Sequence, residues 1–249
     1  MFPLRDDNPS LGRPVVTWML VAANVVAWFL VQGAGGEPFL SHSVCTWGLI
    51  PGELLQTVAD GTRVQLGEHA ACVLQHGADE WWSPLTSMFL HGGWMHLVGN
   101  LWFLWVFGDN VEDVMGPARF LAFYLACGLA AAAAQVLSAP DSTVPMIGAS
   151  GAIGGVMGAY ASLYPRARVQ MLVVLGFYLG RIAMPAVVVL GYWFLLQVLG
   201  SLPEVDSSAG GVAFWAHIGG FASGFLLSYL FRDPVRVEAH RRYVQGYFA

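Results

Sequence analysis

Six apolar runs, each close to the length of a membrane crossing, constrain this chain more than any other feature. They lie at roughly 15–33, 93–108, 118–138, 149–164, 182–200 and 213–231. A helix needs about 20 consecutive apolar residues to span a bilayer core, and in lipid the backbone must satisfy its own hydrogen bonds. The expected fold is therefore an all-α membrane protein, a bundle of six transmembrane helices. Composition agrees: 56% of the 249 residues are hydrophobic and only 11% are charged, against about 25% charged in a soluble domain. So few charges cannot solvate the surface of a soluble protein. Nothing in the pattern points to a nucleic-acid partner.

The first run follows "RDDNPSLGRP" and reads as a spanning helix rather than a removed leader. The second and fourth runs are short and take length from their flanks. Between the fourth and fifth, "VQMLVVLGFYLGR" is apolar, contains glycine and ends in Arg181. It reads as an interfacial segment, the alternative being one long tilted fifth helix from about 169.

Six spans put both termini on one side. Arg5, Arg13, Arg119, Arg166, Arg168, Arg181, Arg232, Arg236, Arg241 and Arg242 then share a face, and only Arg63 lies on the other. Basic residues favour the cytoplasmic face, so both termini are expected in the cytoplasm of a cell (inner) membrane protein. The organisation is a cytoplasmic N-terminus (1–14), a membrane domain (15–231) with a first external loop at about 34–92, and a cytoplasmic tail (232–249). The tail reads either as an amphipathic helix or as disorder. The external loop carries Trp47, Pro51, Trp81 and Trp82 among acidic residues, as an interfacial structure would. Cys45 and Cys72 both fall in it, either as a disulfide or as two free thiols. The three cysteines show no CxxC and no zinc-like spacing, so no metal or cofactor is implied.

Polar side chains inside spans are costly and are functional candidates by default. The second run opens with "HGGWMHLVGN", supplying His91, His96 and Asn100. The fourth opens with Ser150, and the sixth, "FWAHIGGFASG", supplies His217. These three helices all run inward from the external face, so His96, Asn100, Ser150 and His217 are expected at one depth. Each has a plainer role available. A buried serine often fills a packing notch, His96 and Asn100 could cross-link helices through hydrogen bonds, and His91 reads as holding the loop against the second helix. Together they can perform acyl transfer: Ser150 as nucleophile, His217 as its base, and the Ser150 N–H with His96 and Asn100 as oxyanion donors. The nearest acids, Asp141, Glu204 and Asp206, lie in loops, so a dyad rather than a triad is expected. Gly151 with Gly155, Gly154 with Gly158, and Ala216 with Gly220 and Gly224 are small-xxx-small pairs that let helices approach closely.

The segments "TSMFLHGGWMHLVGNLWFLWVFGDNVEDVMG", "GASGAIGGVMGAY" and "AHIGGFASG" together resemble the rhomboid family of intramembrane serine proteases. Its HxxxN, GxSG and AHxxG elements occur in order. The resemblance implies a six-helix fold in which Ser150 is the nucleophile and His217 the general base. It gives the oxyanion to His96, Asn100 and the Ser150 backbone, with Gly148 shaping the loop before the serine and Gly151 and His91 in support. Glu112 and Gly116 would form a structural turn. Substrates would be transmembrane segments of other proteins, cut near the external or periplasmic face, with membrane lipid around the site and helix five as a lateral gate. Two positions depart from the family. Gly154 stands where an aromatic residue often stacks on the catalytic histidine, a gap left for Trp215 or Phe214 to fill. Trp82-Ser83 replaces a Trp-Arg pair. Three other readings compete: an inactive relative that binds transmembrane clients, a transporter, and a metalloprotease. The intact Ser150 and His217, the lack of a visible inverted repeat, and the absence of HExxH weigh against them in turn.

Overall fold

Alanine, glycine and serine line much of the buried face of the last apolar helix, while its leucines point outward. In the computed structural model, which describes residues 2–66, 70–77, 79–175, 178–202 and 212–247, the helices are α1 (Val15–Leu30), α2 (Phe39–Trp47), α3 (Pro51–Leu54), α4 (Ser83–Thr86), α5 (Trp94–Met115), α6 (Pro117–Ser138), α7 (Ser150–Leu163), α8 (Ala186–Gly200), α9 (Phe214–Phe231) and α10 (Pro234–Tyr247). In α9 the buried residues include Ala216, Gly220, Gly224 and Ser228, at i, i+4, i+8 and i+12. Leu226 and Leu230 are 68% and 76% exposed. A soluble helix buries its leucines and exposes its small polar residues. The reverse arrangement belongs to a membrane protein.

α7 is the central helix, with every residue from Gly151 to Ala161 buried. It packs against α5, α6, α8 and α9. Its contact with α9 is backbone to backbone: a Cβ on Gly220 would fall on the Gly151 carbonyl, and one on Gly224 on the Gly155 carbonyl. The expected small-xxx-small pairs thus meet each other across one interface, and Gly151 also faces Ala131 of α6.

Among the described residues two helices, α6 and α9, are long and apolar enough to cross a membrane by length and composition, and α1 and α8 are apolar but shorter. The fifth apolar segment begins at Ala186, because the residues before it are not helical. β4 (Arg168–Leu175) and β5 (Tyr178–Pro185) are antiparallel, and β1 (Phe2–Asp6) pairs with β4 on its other edge. The all-α expectation is therefore corrected to a mostly helical fold, and the long tilted fifth helix is excluded. The physical reason is visible in "VQMLV", where Val169, Met171 and Val173 are buried and alternate with Gln170 and Leu172. That is a strand period, with β-branched residues on the inner face.

The external loop is built rather than loose. α2 and a hairpin of β2 (Arg63–Leu66) and β3 (Ala70–Val73) are joined by a Cys45–Cys72 disulfide, which resolves the two options for that pair. Trp81 and Trp82 are 73% and 67% exposed, as interfacial tryptophans would be. The tail, left open between helix and disorder, is helical through Tyr247.

Candidate active site

The turn before α7 decides where Ser150 points. Leu49 and Met146 exchange two backbone hydrogen bonds of 3.0 and 2.7 Å, and the Gly148 N–H donates to the Ser87 carbonyl at 2.9 Å. The external loop thus pins this turn on one side, and the approach to α5 pins it on the other. Gly148 has φ +122°, a left-handed conformation that suits glycine. A Cβ there would stand 2.6 Å from His96 Nε2 and 3.6 Å from Asn100 Nδ2. Glycine therefore leaves an opening beside two side-chain nitrogens, one residue removed from Ala149 and two from Ser150.

Those nitrogens are donors. His96 Nδ1 accepts from the Gly92 N–H at 3.2 Å, so a neutral ring carries its proton on Nε2, the atom facing Gly148. Asn100 is 7% exposed, and its Nδ2 has no partner among the described residues. A buried amide without a partner costs about 1–3 kcal/mol. At the first turn of α7 the Ser150 N–H has no intrahelical acceptor either.

Ser150 Oγ lies 2.8 Å from His217 Nε2. On the other side of the ring, His217 Nδ1 lies 2.7 Å from Gln197 Oε1 on α8. The imidazole of His217 also faces Trp193, with ring centroids 5.7 Å apart at 44°. Ser150, His217 and His96 line a cavity of about 800 Å³, with Glu37 and Val44 of the external loop on its rim. A larger cavity of about 950 Å³ lies at the opposite end of α7, around Asp7, Arg168 and His240, and touches none of these residues.

Ser150, His217, His96, Asn100 and Gly148 therefore come together around one turn. Gly151 lies in the helix packing. His91 sits behind His96, edge-on to it at 5.1 Å, and its backbone is held by Gln32 through bonds of 2.7 and 2.8 Å. The residue that fixes the loop to α1 is thus Gln32, which the sequence reading missed. Phe214 packs at Gly200 and Trp215 is 43% exposed; neither fills the gap over Gly154. Trp193 does: its Cη2 lies 3.7 Å from where a Gly154 Cβ would be. Gln197 was missed as well. Its signal is a lone amide in "AVVVLGYWFLLQVLG", four residues after that tryptophan and so on the same helical face. Of the loop acids, Glu204 and Asp206 lie outside the described residues.

A serine hydroxyl on an imidazole, facing unpartnered donors across a glycine turn, is the arrangement that acyl transfer requires. Residues 78–234 match the rhomboid domain family. The chain belongs to the rhomboid family. It is 29% identical over 214 residues to the rhomboid protease GluP of Bacillus subtilis, covering 86% of this chain and 34% of GluP. With the Bacillus subtilis protein YdcA it shares 28% over 224 residues, 87% of this chain and 88% of YdcA. With RHOMBOID-like protein 5 of Arabidopsis thaliana it shares 26% over 234 residues, 90% and 70% of the two. The chain spans about a third of the length of GluP. His91, His96, Asn100, Ser150 and His217 all fall inside the matched rhomboid domain.

Proposed function

We propose that this rhomboid family protein is an intramembrane serine endopeptidase that cleaves transmembrane segments of other proteins by a Ser150–His217 dyad. The observation that carries the reading is the 2.8 Å contact between Ser150 Oγ and His217 Nε2 at the wall of a cavity, in a chain related to named rhomboid proteases. His217 Nε2 takes the Ser150 proton as Oγ attacks the scissile carbonyl. The resulting oxyanion is held by the Ser150 N–H, His96 Nε2–H and Asn100 Nδ2–H. Collapse expels the amine, which leaves with the proton from His217. Water, deprotonated by the same imidazole, then releases the acyl group and restores Ser150.

The reading includes six spans, with 1–14 and 232–249 on the cytoplasmic side and the site near the external face. The arginine distribution supports it. So do the exposed tryptophans of the external loop.

The test is cleavage of a tagged single-span substrate by purified protein in detergent, beside Ser150→Ala and His217→Ala. Wild type should cut, and each variant should lose at least about 10³-fold in rate, the scale of removing a nucleophile or its base. Cleavage that persists in both variants sinks the proposal. Substrate binding without cleavage by wild type replaces it with a client-binding role.

A further inference from the structure

Gln197 and Trp193 have no role in the proposed dyad, yet both touch His217. The orientation of the Gln197 amide is fixed by its own helix, since Nε2 donates to the Trp193 carbonyl at 3.3 Å. A carbonyl cannot donate, so the atom left facing His217 Nδ1 at 2.7 Å is the oxygen Oε1. An amide oxygen only accepts, so the proton of a neutral His217 sits on Nδ1. Nε2 then presents a lone pair to the Ser150 hydroxyl at 2.8 Å. The hydrogen bonds run in one direction, Ser150 to His217 to Gln197 to the Trp193 carbonyl. The ring plane is restrained by the Trp193 indole, whose tip stands over Gly154. That indole is itself packed on Phe221 of α9, with centroids 6.0 Å apart.

We propose that Gln197 is the positioning residue for His217, holding its Nδ1 proton and thereby keeping Nε2 free to take the proton of Ser150, with Trp193 restraining the ring. This rests on the serine-protease reading and deepens it: the orienting group is a neutral amide from α8 rather than an acid. It also makes α8 part of the machinery, since displacement of this helix removes both supports from the base at once. The wrong tautomer presents an N–H to the serine and cannot accept its proton. In a serine protease triad, replacing the orienting carboxylate costs about 10⁴ in kcat. A neutral amide contributes no charge stabilisation, so a smaller loss is expected here.

Wild type, Gln197→Leu and Gln197→Glu should be compared as full-length protein in detergent. Turnover of a single-span substrate is counted per Ser150 labelled by a fluorophosphonate, and the His217 tautomer is read by ¹⁵N NMR of histidine-labelled protein. The wild-type spectrum should show His217 protonated on Nδ1. Gln197→Leu should lower kcat about 10- to 100-fold with KM within about twofold, and shift His217 toward the other tautomer. Gln197→Glu restores an acceptor, so it should recover most of kcat. Its charge should also move the acidic limb of the kcat/KM profile up by about one pH unit or more. A purely structural glutamine would change melting temperature and the labelled fraction but leave kcat per labelled serine and the pH limb in place, which overturns the proposal. So does a wild-type His217 protonated on Nε2. If Gln197→Leu fails to fold, the Gln197→Glu limb and the wild-type spectrum decide. If wild type neither cleaves nor labels while its spectrum shows the Nδ1 proton, the protease reading falls and the tautomer lock stands.

Discussion

α5 is polar at both ends, and the two ends use their polarity in opposite ways. At the Met115 end Glu112 is 3% exposed, and its carboxylate is engaged three times. Oε1 accepts from the Val16 N–H at 2.9 Å, and Oε2 accepts from the Thr17 N–H and hydroxyl at 2.8 and 2.9 Å. It caps the first turn of α1, where orphan N–H groups and the helix dipole both favour a negative charge. At the Trp94 end Asn100 is nearly as buried, but its amide nitrogen has no partner among the described residues. A filled polar group holds helices together. A buried donor left open beside the Gly148 turn lowers stability unless something else comes to fill it.

The comparison breaks most visibly under Glu112→Ala. This strips the acceptor from three buried donors, each of which costs about 1–3 kcal/mol when left unpaired. The variant should melt far below wild type in detergent or fail to fold. A melting temperature within a few degrees would mean that the cap is ornamental. Asn100→Ala should do the reverse. It relieves an unpartnered amide, so melting should stay within a few degrees, while kcat falls about 10²- to 10³-fold, the scale of one oxyanion donor. Loss of activity matched by loss of folded protein would place Asn100 with Glu112 as a structural group.

The sequence exposed the site better than it exposed the scaffold around it. Ser150, His96, Asn100 and His217 were legible because polar residues inside apolar runs are rare, and three helices running the same way must bring their first turns to one level. The interface of Gly151 and Gly155 with Gly220 and Gly224 was legible by spacing. The β4–β5 hairpin was not, because an apolar run that contains a glycine looks the same in an interfacial segment as in a buried strand. Its alternation becomes meaningful only once β1 supplies a partner at least 163 residues away, at pairs such as Asp6 and Val169. Gln197 and Trp193 stayed hidden for a related reason. Their role depends on the rotation of α8 against α9, and nothing local in "GYWFLLQVLG" states which face turns inward.

A smaller effect tests whether the Met115 end is as satisfied as Glu112 suggests. Nearby, Asp6 accepts from the Tyr160 hydroxyl, yet its pKa is raised to about 7 from 3.8. Burial is the main cause, Tyr160 opposes it, and the charge of Asp109 adds to it. The folded state thus holds a proton that the unfolded chain releases near pH 4. Stability from this group is full below about pH 4, declines as pH rises toward 7, and is level above that. Asp6→Asn keeps an acceptor for Tyr160 and removes the titration. Its melting temperature should match wild type near pH 4 and exceed it by several degrees at pH 8. Equal melting curves across that range would mean that Asp6 is well solvated when charged.

The smallest effect concerns His91, which separates a group that is merely unpaired from one that is reserved. His91 is fully buried, and neither ring nitrogen has a partner among the described residues, as with the amide of Asn100. It differs in what it faces: the Asn100 amide stands beside the Gly148 turn, whereas the His91 ring edge meets His96. Its structural work is done by its backbone, clamped by Gln32, which any side chain would leave in place. His91→Leu gives up an edge contact worth about 0.5–1.5 kcal/mol and relieves two buried polar atoms at about 1–3 kcal/mol each. Melting should therefore hold or rise slightly, and kcat should stay within about threefold. Gln32→Leu, which abandons both backbone bonds, should be the less stable of the two. If His91→Leu instead loses activity a hundredfold at unchanged melting, a place beside the Gly148 turn is not what separates reserved donors from idle ones. His91 would then join His96 and Asn100 in the chemistry.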